Sequence, residues 1–328
     1  MGSHETSHRL APRVLVYYDQ AEVFLPRLDA RFPGVTFTAC RSHDELAGLL
    51  DAVKPQVVFA YKFGPKPFPR PAFLGCRDLE WLSVAFAGLD VLLPFDDAKL
   101  IVTNASGVAA TEMGHYAIAA ILGLFQDFPR HYANQTARKW HYHEIRSARN
   151  ATVGIVGLGR SGRVIARMAR AVGLRVVACR MRAEPSPEVD RVYAHSDLWQ
   201  MLGAVDATVL CAPLTSLTRD LFDASAFAAM KPGSYFVNIA RGAIVREEAM
   251  IDALRSGHLA GAVIDVARTE PLPPSSPLWD APNLFITPHC SSEYDGWVVD
   301  AADMFADNLE RWIADRPLEN QVRSDRGY

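Results

Sequence analysis

The chain has 328 residues, 49% of them hydrophobic and 22% charged, with a net charge of −3. That length exceeds what one hydrophobic core usually serves, about 250 to 300 residues, so two domains are expected. The balanced charge offers no basic face for nucleic acid or an anionic membrane, no apolar run reaches the ~18 residues of a membrane span, and the opening MGSHETSHRLAPR lacks an apolar signal core. A cytoplasmic location is the corresponding expectation. The five cysteines, Cys40, Cys76, Cys179, Cys211 and Cys290, are scattered without CxxC spacing and suit reduced thiols.

From Arg13, the strand-like runs RVLVYY, VTFTAC and PQVVFA alternate with the helical patterns AEVFLPRLDARF and HDELAGLLDAV. Such alternation predicts a parallel sheet with helices on its faces. The stretch YKFGPKPFPRP, rich in Pro and Gly, is a loop near strand ends; Lys62 or Phe63 could meet a substrate there, and a solvated loop is the better reading. A strand over 81–86 then runs into Ala87-Gly88-Leu89-Asp90, where Gly88 would let backbone N–H groups hold an anion, or would simply make a tight turn.

After the strand LIVTN, residues 107–128 have the periodicity of one long helix, with His115 placed among apolar neighbours as a hydrogen-bonded core residue. Residues 132–150 are polar and aromatic. His141, His143 and Glu144 lack the further ligands a metal site requires, so no metal is expected, while Trp140 suits the lining of a cleft or plain packing.

The second half repeats the alternation through TVGIVG, RVVACR, VYAHSDL, DATVLCA, SYFVNIA, LAGAVID and LFITP, and ends on the helical VVDAADMFADNLERWIA. The expected fold is α/β: two Rossmann-like, doubly wound parallel-sheet domains with an interdomain cleft. Residues 1–104 with 291–328 would form the substrate-binding domain and residues 105–290 the dinucleotide-binding domain.

Within that second half, VGIVGLGRSG spaces Gly157, Gly159 and Gly162 as GxGxxG between a strand and a helix. The first glycine permits the sharp turn, the second a close approach to pyrophosphate, and the third tight packing of helix on strand. The helix opening at Arg160 and Ser161 offers unpaired N–H groups to phosphate. A dinucleotide is therefore expected here.

Four residues of another kind stand just past three strand candidates: Arg241 after SYFVN, Asp265 and Glu270 after LAGAVI, and His289 after LFI. The carboxyl ends of parallel strands share one edge, so these segments can converge on a bound cofactor. Arginine can bind a carboxylate bidentately and polarise a neighbouring carbonyl, and histidine can donate a proton as hydride arrives. A glutamate bonded to the imidazole would favour its charged form and fix its tautomer. Taken singly, each has a plainer reading: Arg241 a surface ion pair, Glu270 a solvated charge, His289 a cap.

Taken together, VGIVGLGRSG, CAPLTSLTR, VNIARG, IDVARTEPLP and TPHC, in this order and spacing, resemble the D-isomer-specific 2-hydroxyacid dehydrogenases, in particular their glyoxylate/hydroxypyruvate reductase-like branch. The resemblance implies that Arg241 binds the substrate carboxylate and carbonyl and that His289 is the acid/base, assisted by Glu270. It implies further that Asp265 holds the nicotinamide carboxamide, that Pro213, Thr218 and Ala240 lie along the cofactor, and that backbone at Ala87 and Gly88 receives the substrate carboxylate. A homodimer using the helix from Gly107 is the implied assembly.

Two departures stand out. NAD-specific members carry an aspartate at the end of the second strand of the cofactor domain, where this chain has Arg180 followed by Arg182. Guanidinium groups there would pair with a 2′-phosphate, so NADP(H) is the expected cofactor, with NAD(H) use left open. His115 stands where many relatives have glutamate. The implied activity is reduction of a small 2-oxo acid to a D-2-hydroxy acid; a dinucleotide-sensing scaffold of little turnover and a phosphite-type dehydrogenase are the alternatives.

Overall fold

The computed structural model describes residues 11–61 and 66–324; Lys62 and Phe63 lie outside the described residues. The chain divides into two compact units, one comprising residues through Val108 and from Tyr294 on, the other Ala109–Glu293.

The first unit alternates β1 (Arg13–Tyr17), α1 (Leu25–Arg31), β2 (Thr36–Cys40), α2 (His43–Val53), β3 (Val57–Ala60), α3 (Arg70–Gly75), β4 (Trp81–Val84) and β5 (Ile101–Thr103). Its sheet is parallel, in the order β2-β1-β3-β4-β5. β1, β3 and β4 are almost wholly buried, as strands covered by helices on both faces must be. Local chemistry fixes the helix starts: Ser42 caps α2 by accepting from the Glu45 N–H while its hydroxyl donates to the Glu45 carboxylate.

The second unit opens with α4 (Ala110–Phe125) and α5 (Phe128–Thr136), followed by β6 (Thr152–Val156), α6 (Arg160–Ala171), β7 (Arg175–Arg180), β8 (Arg191–Ala194), α7 (Leu198–Ala204) and β9 (Ala207–Leu210). It closes with α8 (Ala224–Ala229), β10 (Ser234–Asn238), α9 (Glu247–Arg255), β11 (Leu259–Ile264) and β12 (Leu284–Ile286). These seven parallel strands are ordered β12-β11-β10-β9-β6-β7-β8. The order reverses between β6 and β9, and a doubly wound sheet binds ligands outside the strand ends at such a switch point. α10 (Trp297–Ile313) then returns to the first unit, where Phe305 stacks on Phe59 at 4.7 Å and on Trp81 at 5.3 Å between ring centroids. Each side chain so buried contributes about 1.5 to 3 kcal/mol.

Two expectations need correction. The helix expected over 107–128 is shorter: α4 spans Ala110–Phe125 and stops before Asp127, which takes φ 55° in the left-handed region, and α5 begins at Phe128 with Pro129 in its first turn. His115 is no core residue: Ala110, Gly114, Ala117, Ile118, Ile121, Leu124 and Phe125 set the buried stripe of α4, and His115 falls outside it. It faces solvent and pairs with Glu112 at 3.1 Å. Among the described residues no helix is long and apolar enough to cross a membrane.

Candidate active site

The glycine turn is built as its spacing requires. Gly157 follows β6 at φ 103°, and a Cβ there would lie 2.7 Å from the Ala212 backbone after β9. A Cβ on Gly162 would stand 2.1 Å from the Gly157 carbonyl oxygen, so α6 meets the turn at a separation only glycine allows. Gly159 differs from both. No heavy atom lies within 4 Å of where its Cβ would sit, which leaves open space at the N-terminus of α6, beside Arg160 and Ser161. Unpaired N–H groups, the positive end of a helix and room for a ligand's backbone approach are what a pyrophosphate needs.

Neighbouring elements complete this rim. Beyond β9, the Thr218 hydroxyl donates to the Pro213 carbonyl at 2.7 Å and accepts from the Thr215 N–H at 2.8 Å, closing the loop that carries both residues. Arg180 ends β7, one strand from the glycine turn, and its guanidinium pairs with Glu184 at 3.3 Å; Arg182 is exposed next to it.

β10, β11 and β12 are adjacent, so Arg241, Asp265 and His289 all follow strand ends on one edge of the sheet. Ala240 is buried, and its N–H donates to the Asn238 side chain at 3.0 Å. Arg241 donates from its guanidinium to the Ala240 carbonyl at 2.7 Å. The next residue, Gly242, packs on the Ala267 backbone so closely that a Cβ would lie 2.0 Å from the Ala267 carbonyl carbon. Ala267 in turn donates its N–H to Glu270 Oε1 at 2.9 Å. The arginine turn and the glutamate turn are thereby clamped to each other.

Glu270 Oε2 lies 2.7 Å from His289 Nδ1. An ionised carboxylate only accepts, so Nδ1 carries the proton of this bond, and Nε2 is left as the nitrogen that can exchange one. Partial burial pushes the Glu270 carboxyl up, but the His289 hydrogen bond, the Ala267 N–H and the charges of His289 and Arg241 outweigh it and hold the group below its ordinary range. Glu270 is therefore a fixed negative charge behind the ring.

Asp265 is 1% exposed, and its carboxylate is occupied by the turn that carries His289. Oδ1 accepts from the Thr287 hydroxyl at 2.6 Å and the Cys290 N–H at 2.9 Å, while Oδ2 accepts from the Ser291 N–H at 2.9 Å. In the first unit, exposed Ala87 offers its carbonyl to Asn104 at 2.8 Å and precedes Gly88. Trp140 is fully exposed, and among the described residues no three His, Cys, Asp or Glu side chains gather to hold a metal, His141, His143 and Glu144 included.

Sequence reasoning missed Thr287 and Tyr116. Thr287 lies inside the TPHC segment, and its hydroxyl was overlooked beside the more reactive His289. Tyr116 stands next to His115 on α4 and reaches Thr287, with 2.6 Å between hydroxyl oxygens. No spacing rule marks a helical tyrosine that bonds to a strand end 171 residues away.

Comparison with known proteins adds the family context. The family model described as D-isomer specific 2-hydroxyacid dehydrogenase, NAD binding domain, matches residues 118–291. A D-isomer specific 2-hydroxyacid dehydrogenase from Xanthobacter autotrophicus Py2, solved in complex with NADPH and MES, is 30% identical, with a TM-score of 0.84 over 97% of this chain and 100% of that one. The NADPH-dependent glyoxylate/hydroxypyruvate reductase of Sinorhizobium meliloti, solved with NADP and sulfate, is 26% identical, with a TM-score of 0.82 over 97% of this chain and 100% of that one. A hydroxypyruvate reductase of Blautia hydrogenotrophica is 29% identical over 77% of this chain and 81% of its own length.

Proposed function

The chain belongs to the D-isomer-specific 2-hydroxyacid dehydrogenase family, and from that premise we propose that it reduces a small 2-oxo acid, glyoxylate or hydroxypyruvate in kind, to the D-2-hydroxy acid with NADP(H). The observation that carries this reading is the 2.7 Å contact between Glu270 and His289 on the sheet edge that also bears Arg241.

The residues present fit a dinucleotide: an open approach at Gly159, the N-terminus of α6 with Arg160 and Ser161, the closed Pro213–Thr218 loop, and Arg180 with Arg182 for a 2′-phosphate. A phosphate there would compete with Glu184 for the Arg180 guanidinium. Bound nicotinamide cofactor supplies the hydride, and this chain's residues supply orientation and electrostatics. Arg241 takes the substrate carboxylate and carbonyl oxygen; backbone at Ala87 and Gly88 is assigned to the substrate carboxylate by the family resemblance alone. His289 donates the Nε2 proton to the carbonyl oxygen as it gains negative charge. Glu270 keeps Nδ1 protonated and balances the charge of the imidazolium. By the family resemblance Asp265 would hold the nicotinamide carboxamide, and Ala240 would lie along the same cofactor.

Exposed Phe128, Tyr132, Trp140 and Tyr142, clustered in α5 and the segment after it, support a homodimer as the assembly. The ordinary charge balance and scattered thiols support a cytoplasmic protein acting on a small molecule rather than on nucleic acid or membrane. A panel of 2-oxo acids followed by NADPH absorbance tests the function. Turnover of glyoxylate or hydroxypyruvate is expected, and NADPH binding without oxidation across the panel would leave a dinucleotide-sensing scaffold instead.

A further inference from the structure

The turn bearing His289 is held in a conformation that a side chain seldom adopts unaided. His289 has φ 54°, in the left-handed region, and keeps it through hydrogen bonds on three sides. Its own N–H donates to the Asp265 carbonyl at 2.7 Å and the Thr287 carbonyl at 3.1 Å, and the N–H groups of Cys290 and Ser291 both donate to the Asp265 carboxylate. The third tether is the Thr287 hydroxyl on Asp265 Oδ1, and this bond has a direction that the chemistry fixes. A carboxylate cannot donate, so the Thr287 proton points at Asp265. The Thr287 oxygen can then only accept from Tyr116, whose hydroxyl lies 2.6 Å away. A one-way chain follows, from the Tyr116 hydroxyl to the Thr287 hydroxyl to the Asp265 carboxylate, which also accepts from the N–H groups of Cys290 and Ser291 on the far side of His289.

We propose that Tyr116, on the helix preceding the glycine turn, is a positioning residue for His289, acting through Thr287 and Asp265. The helix contributes to the chemistry without touching substrate: its phenol completes the set of donors that orients the Thr287 hydroxyl, and through it the Asp265 carboxylate. Burial raises the phenol to about 12, with the Thr287 bond opposing and the charges near Asp265 and Cys290 adding, so the donor keeps its proton across the working range. The titratable and charged groups about the ring include Glu270, bonded to it, Arg241, whose charge acts on Glu270, Glu293, which interacts with His289 through its charge, and Asp265 and the Cys290 thiol in the same turn network. Through Thr287 the Tyr116 chain reaches the Asp265 carboxylate and the Cys290 thiol, both hydrogen-bonded to the Thr287 side chain. Loss of the phenolic proton donor therefore changes the turn through this cluster.

The inference deepens the dehydrogenase reading and rests on it for its kinetic arm. Tyr116→Phe should lower kcat about five-fold, as expected for one net hydrogen bond, and displace the pH profile of kcat while leaving KM for NADPH unchanged. Thr287→Val should reproduce the displaced profile, the double variant should add little to either, and Thr287→Ser, which keeps the hydroxyl, should recover the profile lost in Thr287→Val. A second arm needs no turnover. Cys290 is exposed one residue past His289. Its alkylation by iodoacetamide, identified against Cys290→Ser, should accelerate in Tyr116→Phe as the turn loosens. Unchanged Cys290 labelling, or an unchanged pH profile in an active enzyme, overturns the inference. A wild-type protein that reduces no 2-oxo acid would defeat the dehydrogenase reading instead, and the labelling arm would still decide the role of Tyr116.

Discussion

At the scale of single residues, the account assigns one proton to one nitrogen. His289→Ala removes the donor and should lower kcat for reduction by about 100- to 10,000-fold, the usual range for a general acid, with KM for NADPH little changed; stopped-assay kinetics at saturating cofactor measures it. The proposed pairing of Arg180 and Arg182 with a 2′-phosphate is tested by cofactor preference. Replacing both with Ala should cut kcat/KM for NADPH about 10- to 100-fold while leaving that for NADH nearly unchanged, the loss expected of one or two charge-assisted bonds to phosphate. Equal use of NADH by the unaltered protein would contradict the preference. These residues were readable ahead of the structure because each stands one to three positions beyond an apolar run, and parallel strands must present such positions on one edge. Tyr116 and Thr287 were not. Their contribution is a direction of hydrogen bonding, and direction depends on a buried carboxylate that spacing does not reveal.

At the scale of elements, the three glycines of the turn separate stability from binding. Gly162→Ala forces a Cβ against the Gly157 carbonyl, and should cost about 2 kcal/mol or more of stability in denaturant unfolding, within or above the usual range for overpacking. Gly159→Ala meets open space at φ −84°, which alanine adopts freely. It should leave the unfolding midpoint nearly unchanged yet weaken NADPH binding about ten-fold or more, because the new methyl occupies the ligand's approach. Equal binding by this variant would place the cofactor elsewhere. The sequence pattern disclosed the strand, turn and helix here, since glycine spacing reflects contacts within a few residues. It overran at the end of 107–128, where the helical periodicity continued to Phe128 although α4 stops at Phe125 and the backbone turns at Asp127. Apolar rhythm reports which face is buried and is silent about a single left-handed residue.

At the scale of the whole molecule, the twelve strands among the described residues were legible because both sheets are parallel: inner strands such as β1, β3, β4 and β9 are buried on two faces and read as largely apolar runs, while the partly exposed β2, β8 and β12 still follow the strand–helix alternation. What ties distant segments together was less visible. Asp206, just before β9, accepts from Arg146 and Lys231, each at 2.6 Å, and from the Thr152 N–H at 2.9 Å. Burial raises this carboxyl, and the two cations with the Thr152 N–H overcome that and hold it below its ordinary range. The folded protein thus keeps the charge to lower pH than the unfolded chain. The stabilisation is complete above the ordinary carboxylate range and disappears as pH falls through the depressed value. Melting midpoints taken from about pH 7 to about pH 3 should fall, and Asp206→Asn should flatten that fall while costing about 2 to 4 kcal/mol at neutral pH, since two cations lose their partner.

The most direct measurement of the central claim follows the hydrogen itself. NADPH deuterated at C4 of the nicotinamide, prepared in each of its two configurations, is supplied with hydroxypyruvate, and the product is examined by mass spectrometry and chiral chromatography. The account predicts D-glycerate carrying deuterium at C2 from one of the two labelled cofactors, and loss of that product in His289→Ala. Deuterium absent from C2 with both cofactors, an L-product, or undiminished transfer in the variant would contradict it.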